Sequence, residues 1–241
     1  VSGNTINLAS PLPLDFSGSL NVRAYPQNGS GVMSLCGVED LTLYGCADPI
    51  RWYQTDRCWV KGVEFSHCTY GDVGNLQLNS SFQIEVRNCY FHDVAGYPNQ
   101  SDGIAVGVNY GVCNGLFIDN IAYRTSAMFE INGAAANAFL YNFACDTARA
   151  SDQVACPFPF IYHHGPHTMA NLFEGNVGDN YLNDGYHGSG SHAVLFRNHF
   201  NGLHPSCTLY RRLIAFPRGS YYHSVVGNVL GDPSWTPNRS V

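Results

Sequence analysis

Charge is scarce in this chain: only 12% of its 241 residues are Asp, Glu, Lys or Arg, and the 12 Lys and Arg leave a formal net charge of -6. Phosphate binding calls for a basic face, so no nucleic-acid partner is expected. Apolar runs of membrane-spanning length are missing, and with them the expectation of membrane insertion. The nine cysteines contain no Cys-x-x-Cys and no zinc-site spacing, which removes the common small metal folds. Runs of helix formers with apolar residues at 3.6 spacing are also missing, which disfavours a helical solenoid. Aromatic residues make up 13%, too many for a chain that stays disordered.

What is abundant is one short pattern: two or three strand formers, then Asn or Gly, then more apolar residues. It occurs at 41–45, 60–65, 84–89, 116–120, 139–142, 172–176, 194–198 and 225–228, with 6–8 as a frayed ninth copy. Its Asn positions step by 32 (88 to 120), 22 (to 142), 34 (to 176), 22 (to 198) and 30 (to 228). Units of this size with one strand group each bury their apolar face only by stacking on their neighbours. The expected fold is all-β, a parallel β-helix (solenoid) forming one domain over 1–241, with 1–35 an irregular or hairpin-like opening. Coils in register place a recurring Asn at one corner, where side-chain amides form a ladder that satisfies bent backbone. These asparagines read as scaffold.

The cysteines, at 36, 46, 58, 68, 89, 113, 145, 156 and 207, suggest disulfides in an oxidising, extracellular compartment. Cys145 with Cys156 is the preferred local pair and Cys36 with Cys46 the second. Four Asn-x-Ser sequons, at Asn28, Asn79, Asn99 and Asn238, permit glycosylation in a eukaryotic host. The sequence opens at Val1 without an initiator Met or leader, as a processed product or fragment does. A β-helix end without a cap exposes strand edges, which makes end-to-end self-association an expected mode of partnership.

The order of segments carries a resemblance. Gly3 to Leu8 leading to Leu12-Pro-Leu14, Gly37 to Leu43, Cys58 to Glu64, Ile84 to Asp93, Asn171 to Asn176, and Gly188 to His192 through Asn198 together resemble secreted bacterial right-handed parallel β-helix proteins. That group belongs to the pectate-lyase-like superfamily and is labelled as related to family 28 glycoside hydrolases. The resemblance spans nearly the whole chain. It implies a secreted carbohydrate-active protein, a polysaccharide lyase or glycoside hydrolase acting on an acidic or plant-type polysaccharide. Relatives carry a further N-terminal segment of β-helix that this sequence lacks. The superfamily also holds tailspikes and adhesins, so a noncatalytic filament subunit or glycan-binding module is the alternative.

A family 28 hydrolase needs acidic residues on neighbouring coils. Asp102 in Ser101-Asp-Gly-Ile104 resembles one element, but one coil further on stands Tyr123-Arg124 where a carboxylate pair is required. Asp102 therefore stands as a substrate-binding candidate or a turn cap. Lyase chemistry asks instead for a base beside the uronate carboxyl and a cation or donor that neutralises it. The richest set is His163, His164, His167, Asp184, Tyr186, His187 and His192. A 22-residue step would put Tyr162 under Asp184, His164 under Tyr186 and Gly165 under His187. The catalytic candidates are His164, His167, Asp184, His187 and His192, and the substrate-binding candidates Tyr162, Tyr186, Arg197 and Asp102. The bland alternative is a polar corner of stacked rings. Glu174 is expected to face Arg197 across adjacent coils, with Gly175 as a bulge. Calcium suits a β-helix lined by Asp and Asn, yet no Asp-rich loop compels it, and no metal ligands are assigned.

Overall fold

The structure is a computed structural model and describes residues 31–69, 74–97, 103–147, 160–165, 167–203 and 212–234. Its elements are all strands, stacked in parallel into a β-solenoid of about six turns. Each coil contributes to three sheets in turn. The first has eight strands, from Gly37–Glu39 through Trp59–Lys61, Glu85–Arg87, Leu116–Ile118, Ala138–Leu140, Leu172–Glu174 and Val194–Phe196 to Ser224–Val226. The second runs from Thr42–Tyr44 to Val229–Leu230, also with eight. The third has seven, Ile50–Tyr53, Leu76–Asn79, Ile104–Asn109, Ala127–Asn132, Ile161–His163, Tyr181–Asn183 and Ile214–Ala215.

Sharp corners explain why strands of three residues suffice. Between the first and second sheets one residue per coil takes a left-handed conformation: Asp40, Gly62, Asn88, Asp119, Tyr141, Gly175, Arg197 and Gly227, with φ between 51 and 67°. Asn, Asp and Gly tolerate this region best, which accounts for the repeated Asn-or-Gly signal. The next residue points inward. There the column reads Val63, Cys89, Asn120, Asn142, Asn176, Asn198 and Asn228, and from Asn120 on each amide nitrogen bonds the next amide oxygen at 2.9–3.0 Å. A shorter second ladder joins Asn137 Nδ2 to Asn171 Oδ1 at 3.1 Å.

Inside the coil, large and small residues alternate between facing sheets. Where the second sheet brings Phe65 or Phe91, the first brings Val60 or Val86; where the first brings Phe117, Phe139 and Phe173, the second brings Ala122, Ala144 and Gly178. A Cβ at Gly178 would sit 2.5 Å from the Phe160 ring. Phe117, Phe139 and Phe173 stack at centroid distances of 4.7 and 4.9 Å. Filling a core of fixed width this way conserves volume coil by coil, and each buried ring contributes roughly 2–3 kcal/mol.

Several expectations need correction. Asn88 is a left-handed corner residue, so Cys89, whose amide donates to Asn120 Oδ1 at 3.0 Å, takes the first ladder position instead. All seven described cysteines are free thiols, Cys36, Cys46 and Cys145 among them; Cys156 lies outside the described residues. Three fill interior corners: Cys58, Cys68 and Cys89 are buried and donate to main-chain carbonyls. Glu174 pairs with Phe196, not Arg197, because Arg197 occupies the corner equivalent to Gly175; no ion pair joins Glu174 and Arg197 among the described residues. Gly175 is thus a corner rather than a bulge. Asn79 is buried, which closes its sequon to glycosylation. Of the opening 1–35, residues 1–30 lie outside the described residues; in the remainder Met33–Ser34 pairs in parallel with Thr55–Asp56.

Candidate functional site

The third sheet and the loops that leave it carry the expected cluster, but the register differs from the 22-residue step. Ile161 pairs with Tyr181, Tyr162 with Leu182 and His163 with Asn183, a step of 20. The step returns to 22 at Thr168 with Gly190. Four residues, 164–167, join the strands on one coil and six, 184–189, on the next. His164 therefore stands beside Asp184, and Tyr162 does not lie under it. The cluster divides into three.

His163 points into the core, because side chains alternate along a strand. It is 3% exposed, with Thr168 Oγ1 2.8 Å from Nδ1 and the Tyr181 hydroxyl at 3.2 Å. Burial, with the charge of His223 as a smaller cause, drives it down to about 3, so it is a neutral core residue.

His167 and His192 form a second group around serines. His167 Nδ1 lies 3.0 Å from Ser189 Oγ and Nε2 2.9 Å from Ser191 Oγ; His192 Nδ1 lies 2.8 Å from the same Ser191 Oγ. The His192 ring packs against Tyr222 at 4.9 Å. Both histidines hold left-handed corner conformations, with φ of 35 and 55°. They do not join Asp184.

The third group is the open one. Asp184 Oδ2 lies 3.0 Å from His164 Nδ1 and 2.5 Å from His187 Nδ1. Its Oδ1 accepts the Tyr186 amide at 2.6 Å, an Asx turn that folds Asp184-Gly-Tyr-His back on itself. The Tyr162 hydroxyl is 2.9 Å from His164 Nδ1, and the two imidazoles meet edge to face at 4.2 Å. Tyr186 is 88% exposed and stands across the His187 ring at 4.6 Å. Burial alone raises the Asp184 carboxyl, but the Tyr186 amide, the His187 ring and amide, and the His164 charge outweigh it and hold the group below the usual carboxylate range. The site thus combines an ionised carboxylate, two rings and a phenol on one open edge. Asn132 flanks it from the coil before: its Oδ1 would sit 2.7 Å from a Cβ at Gly165, so only glycine lets the backbone pass.

Arg197 lies elsewhere, exposed at the corner between the first and second sheets with its guanidinium 4.5 Å from the Phe196 ring centroid. Asp102 lies outside the described residues.

Sequence reasoning missed a second charged column, on the second sheet and its following corner. His92 bridges Glu64 (2.9 Å) and Asp93 (2.9 Å), Asp93 pairs with Arg124 (2.9 Å), and Arg124 covers the Tyr97 ring. Asp93, Tyr97 and Arg124 edge a cavity of about 200 Å³ lined also by His67 and Gly96. The hydrogen bond from His92 is the main cause that lowers both Glu64 and Asp93. Steps of 26 (67 to 93), 31 (to 124) and 22 (to 146) bring His67, Asp93, Arg124 and Asp146 into one left-handed column, a signal readable only once the corner is known. The charges compensate one another here, whereas the Asp184 group faces outward.

No protein-family model matches the chain, and no curated protein matches it.

Proposed function

We infer that this β-solenoid is a secreted carbohydrate-active protein of the pectate-lyase-like kind, acting as a polysaccharide lyase on an acidic polysaccharide. The observation that carries the reading is the open group of Tyr162, His164, Asp184 and His187. Elimination breaks the C–O bond of a glycosidic link after a proton leaves the carbon beside the uronate carboxyl; the leaving oxygen takes up a proton, and no water is consumed. Tyr162, steered by His164, suits the proton transfer. The two imidazoles supply donors toward the uronate carboxylate, and Asp184 holds both rings in place. Tyr186 offers an exposed ring for a sugar face. Hydrolysis with two carboxylates is less well supported, since the oxygens of Asp184 are already engaged and Glu130, beside Tyr162 on the coil before, is buried and accepts from Asn132 Nδ2. The buried corner thiols Cys58, Cys68 and Cys89 are shielded from oxidants, whereas the Cys36 thiol is exposed.

The test is an assay of a polyuronate panel for both reducing ends and ultraviolet-absorbing unsaturated ends. A lyase yields both; a product with reducing ends alone would replace this reading by hydrolysis, and no product with any polymer would remove it.

A second reading, a filament subunit, draws on the outermost described coil, where Val225, Val226, Val229 and Leu230 are exposed. Sedimentation at high concentration decides it: elongated oligomers support it and a concentration-independent monomer rejects it.

A further inference from the structure

We propose that His164 Nδ1, Asp184 Oδ2 and His187 Nδ1 form a binding site for one divalent transition-metal ion, with zinc the simplest occupant. Among the described residues this is the group whose His, Cys, Asp or Glu donor atoms converge, all within 4.8 Å of one another. Tetrahedral ligands at Zn–N and Zn–O distances of about 2.1 Å stand roughly 3.4 Å apart, so the donors need to move by an ångström or so at most. Ring rotation at His187, which is exposed, supplies that movement.

The donor set selects the ion. Two imidazole nitrogens and one carboxylate oxygen suit zinc and its neighbours, whereas calcium takes six to eight oxygens. The three ligands come from two adjacent coils. His164 follows Ile161–His163, Asp184 follows the adjacent strand Tyr181–Asn183, and His187 closes the turn that Asp184 itself begins. Because Oδ1 is occupied by the Tyr186 amide, the turn stays folded while Oδ2 faces the rings. In the neutral state each imidazole has only to move its proton to Nε2, leaving the Nδ1 lone pair for the ion. Three protein ligands leave further coordination positions toward solvent, the arrangement of a site that binds an exogenous oxygen. The other histidines lack this convergence: His163 is sealed in the core and His167 and His192 meet at a serine.

The role of the ion rests on the lyase reading: bound here it supplies the positive charge that a uronate carboxylate requires, while Tyr162, which is not a ligand and gives up its contact with His164 Nδ1 when the ion takes that atom, is left for proton transfer. Binding itself does not depend on that reading.

The experiment is calorimetric titration of the metal-stripped full chain with Zn2+, repeated for His164→Ala and His187→Ala, with Co2+ spectra as a check on ligand type. The expected result is one ion per chain whose affinity falls on the order of a hundredfold in each variant, with a Co2+ spectrum free of thiolate charge transfer. Absence of binding to the native chain, a thiolate band, or native affinity retained in both variants overturns the proposal. His187→Ala, altering an exposed side chain, keeps the test valid if His164→Ala fails to fold. Metal binding without polyuronate turnover upholds the site and rejects the lyase; turnover undiminished in the metal-stripped chain upholds the lyase and denies the ion a role in it.

Discussion

The two ends of the solenoid solve one problem with different chemistry. At the inner corner after the first sheet, the earlier coils place Val63 and Cys89, and the later coils place Asn120, Asn142, Asn176, Asn198 and Asn228. Cys89 Sγ donates to Val60 O at 3.6 Å, the place where Asn120 Nδ2 donates to Val86 O at 3.0 Å. A thiol caps one carbonyl weakly and packs as a small hydrophobe; an amide caps a carbonyl, an amide proton and its own copy on the next coil. The thiol end is held by packing and tolerates loss of a rung, whereas the amide end is a chain of mutually dependent bonds in low dielectric.

The sharpest way to break this contrast is Asn142→Ala. Its Oδ1 serves Asn120 N and Nδ2 at 3.1 and 3.0 Å, and its Nδ2 serves Phe117 O and Asn176 Oδ1, both at 3.0 Å. Leaving these buried groups unpaired should lower stability by about 3–5 kcal/mol in urea unfolding. A loss below about 1 kcal/mol would deny the ladder its role.

Next in size is Asp179, a buried carboxyl of the amide end hydrogen-bonded to Thr147. Burial pushes it up to about 7, against the Thr147 bond, with Asp146 adding to the rise. Its folded value exceeds its unfolded one, so its stabilisation is full below about pH 4 and is lost as pH rises through 7. Asp179→Asn should therefore gain about 3 kcal/mol relative to the native chain between acid and mildly alkaline pH. Parallel pH–stability curves for the two proteins would contradict this.

Smaller effects belong to the thiol end. Cys89→Ala should cost about 1 kcal/mol. Cys89→Asn, near in volume, should extend the ladder upward and leave stability within about 1 kcal/mol of native; a loss beyond 2 kcal/mol would show that this corner rejects an amide. Smallest of all is Cys36→Ser at an exposed thiol, within about 0.5 kcal/mol. Iodoacetamide should label Cys36 in the native protein but reach Cys68 and Cys89, raised mainly by burial, only on unfolding.

The solenoid and its later ladder were legible because Asn142, Asn176, Asn198 and Asn228 recur behind three-residue strands. The first rung was not, because Asn serves at two adjacent positions for different reasons: Asn88 accepts a left-handed φ, and Asn120 satisfies buried backbone. The cysteines misled for a related cause, since a small buried thiol at a corner leaves the same spacing signal as half of a disulfide. At the site, the sequence grouped the right loops. It could not see that the step is 20 between 161–163 and 181–183 and that two extra residues in 184–189 restore it to 22, or that strand alternation turns His163 inward and His164 outward. The compensated column of His67, Asp93, Arg124 and Asp146 stayed hidden because its steps are unequal.

The scaffold is thus set by corners, and the chemistry by the loops where two coils differ in length. The most direct measurement of that claim is unsaturated-product formation from a polyuronate by His187→Ala beside the native chain, with thermal melting of both. The account predicts loss of at least a hundredfold in rate with the melting temperature within about 2 °C of native. Full activity in the variant would contradict it, as would a rate that falls only in proportion to a large loss of stability.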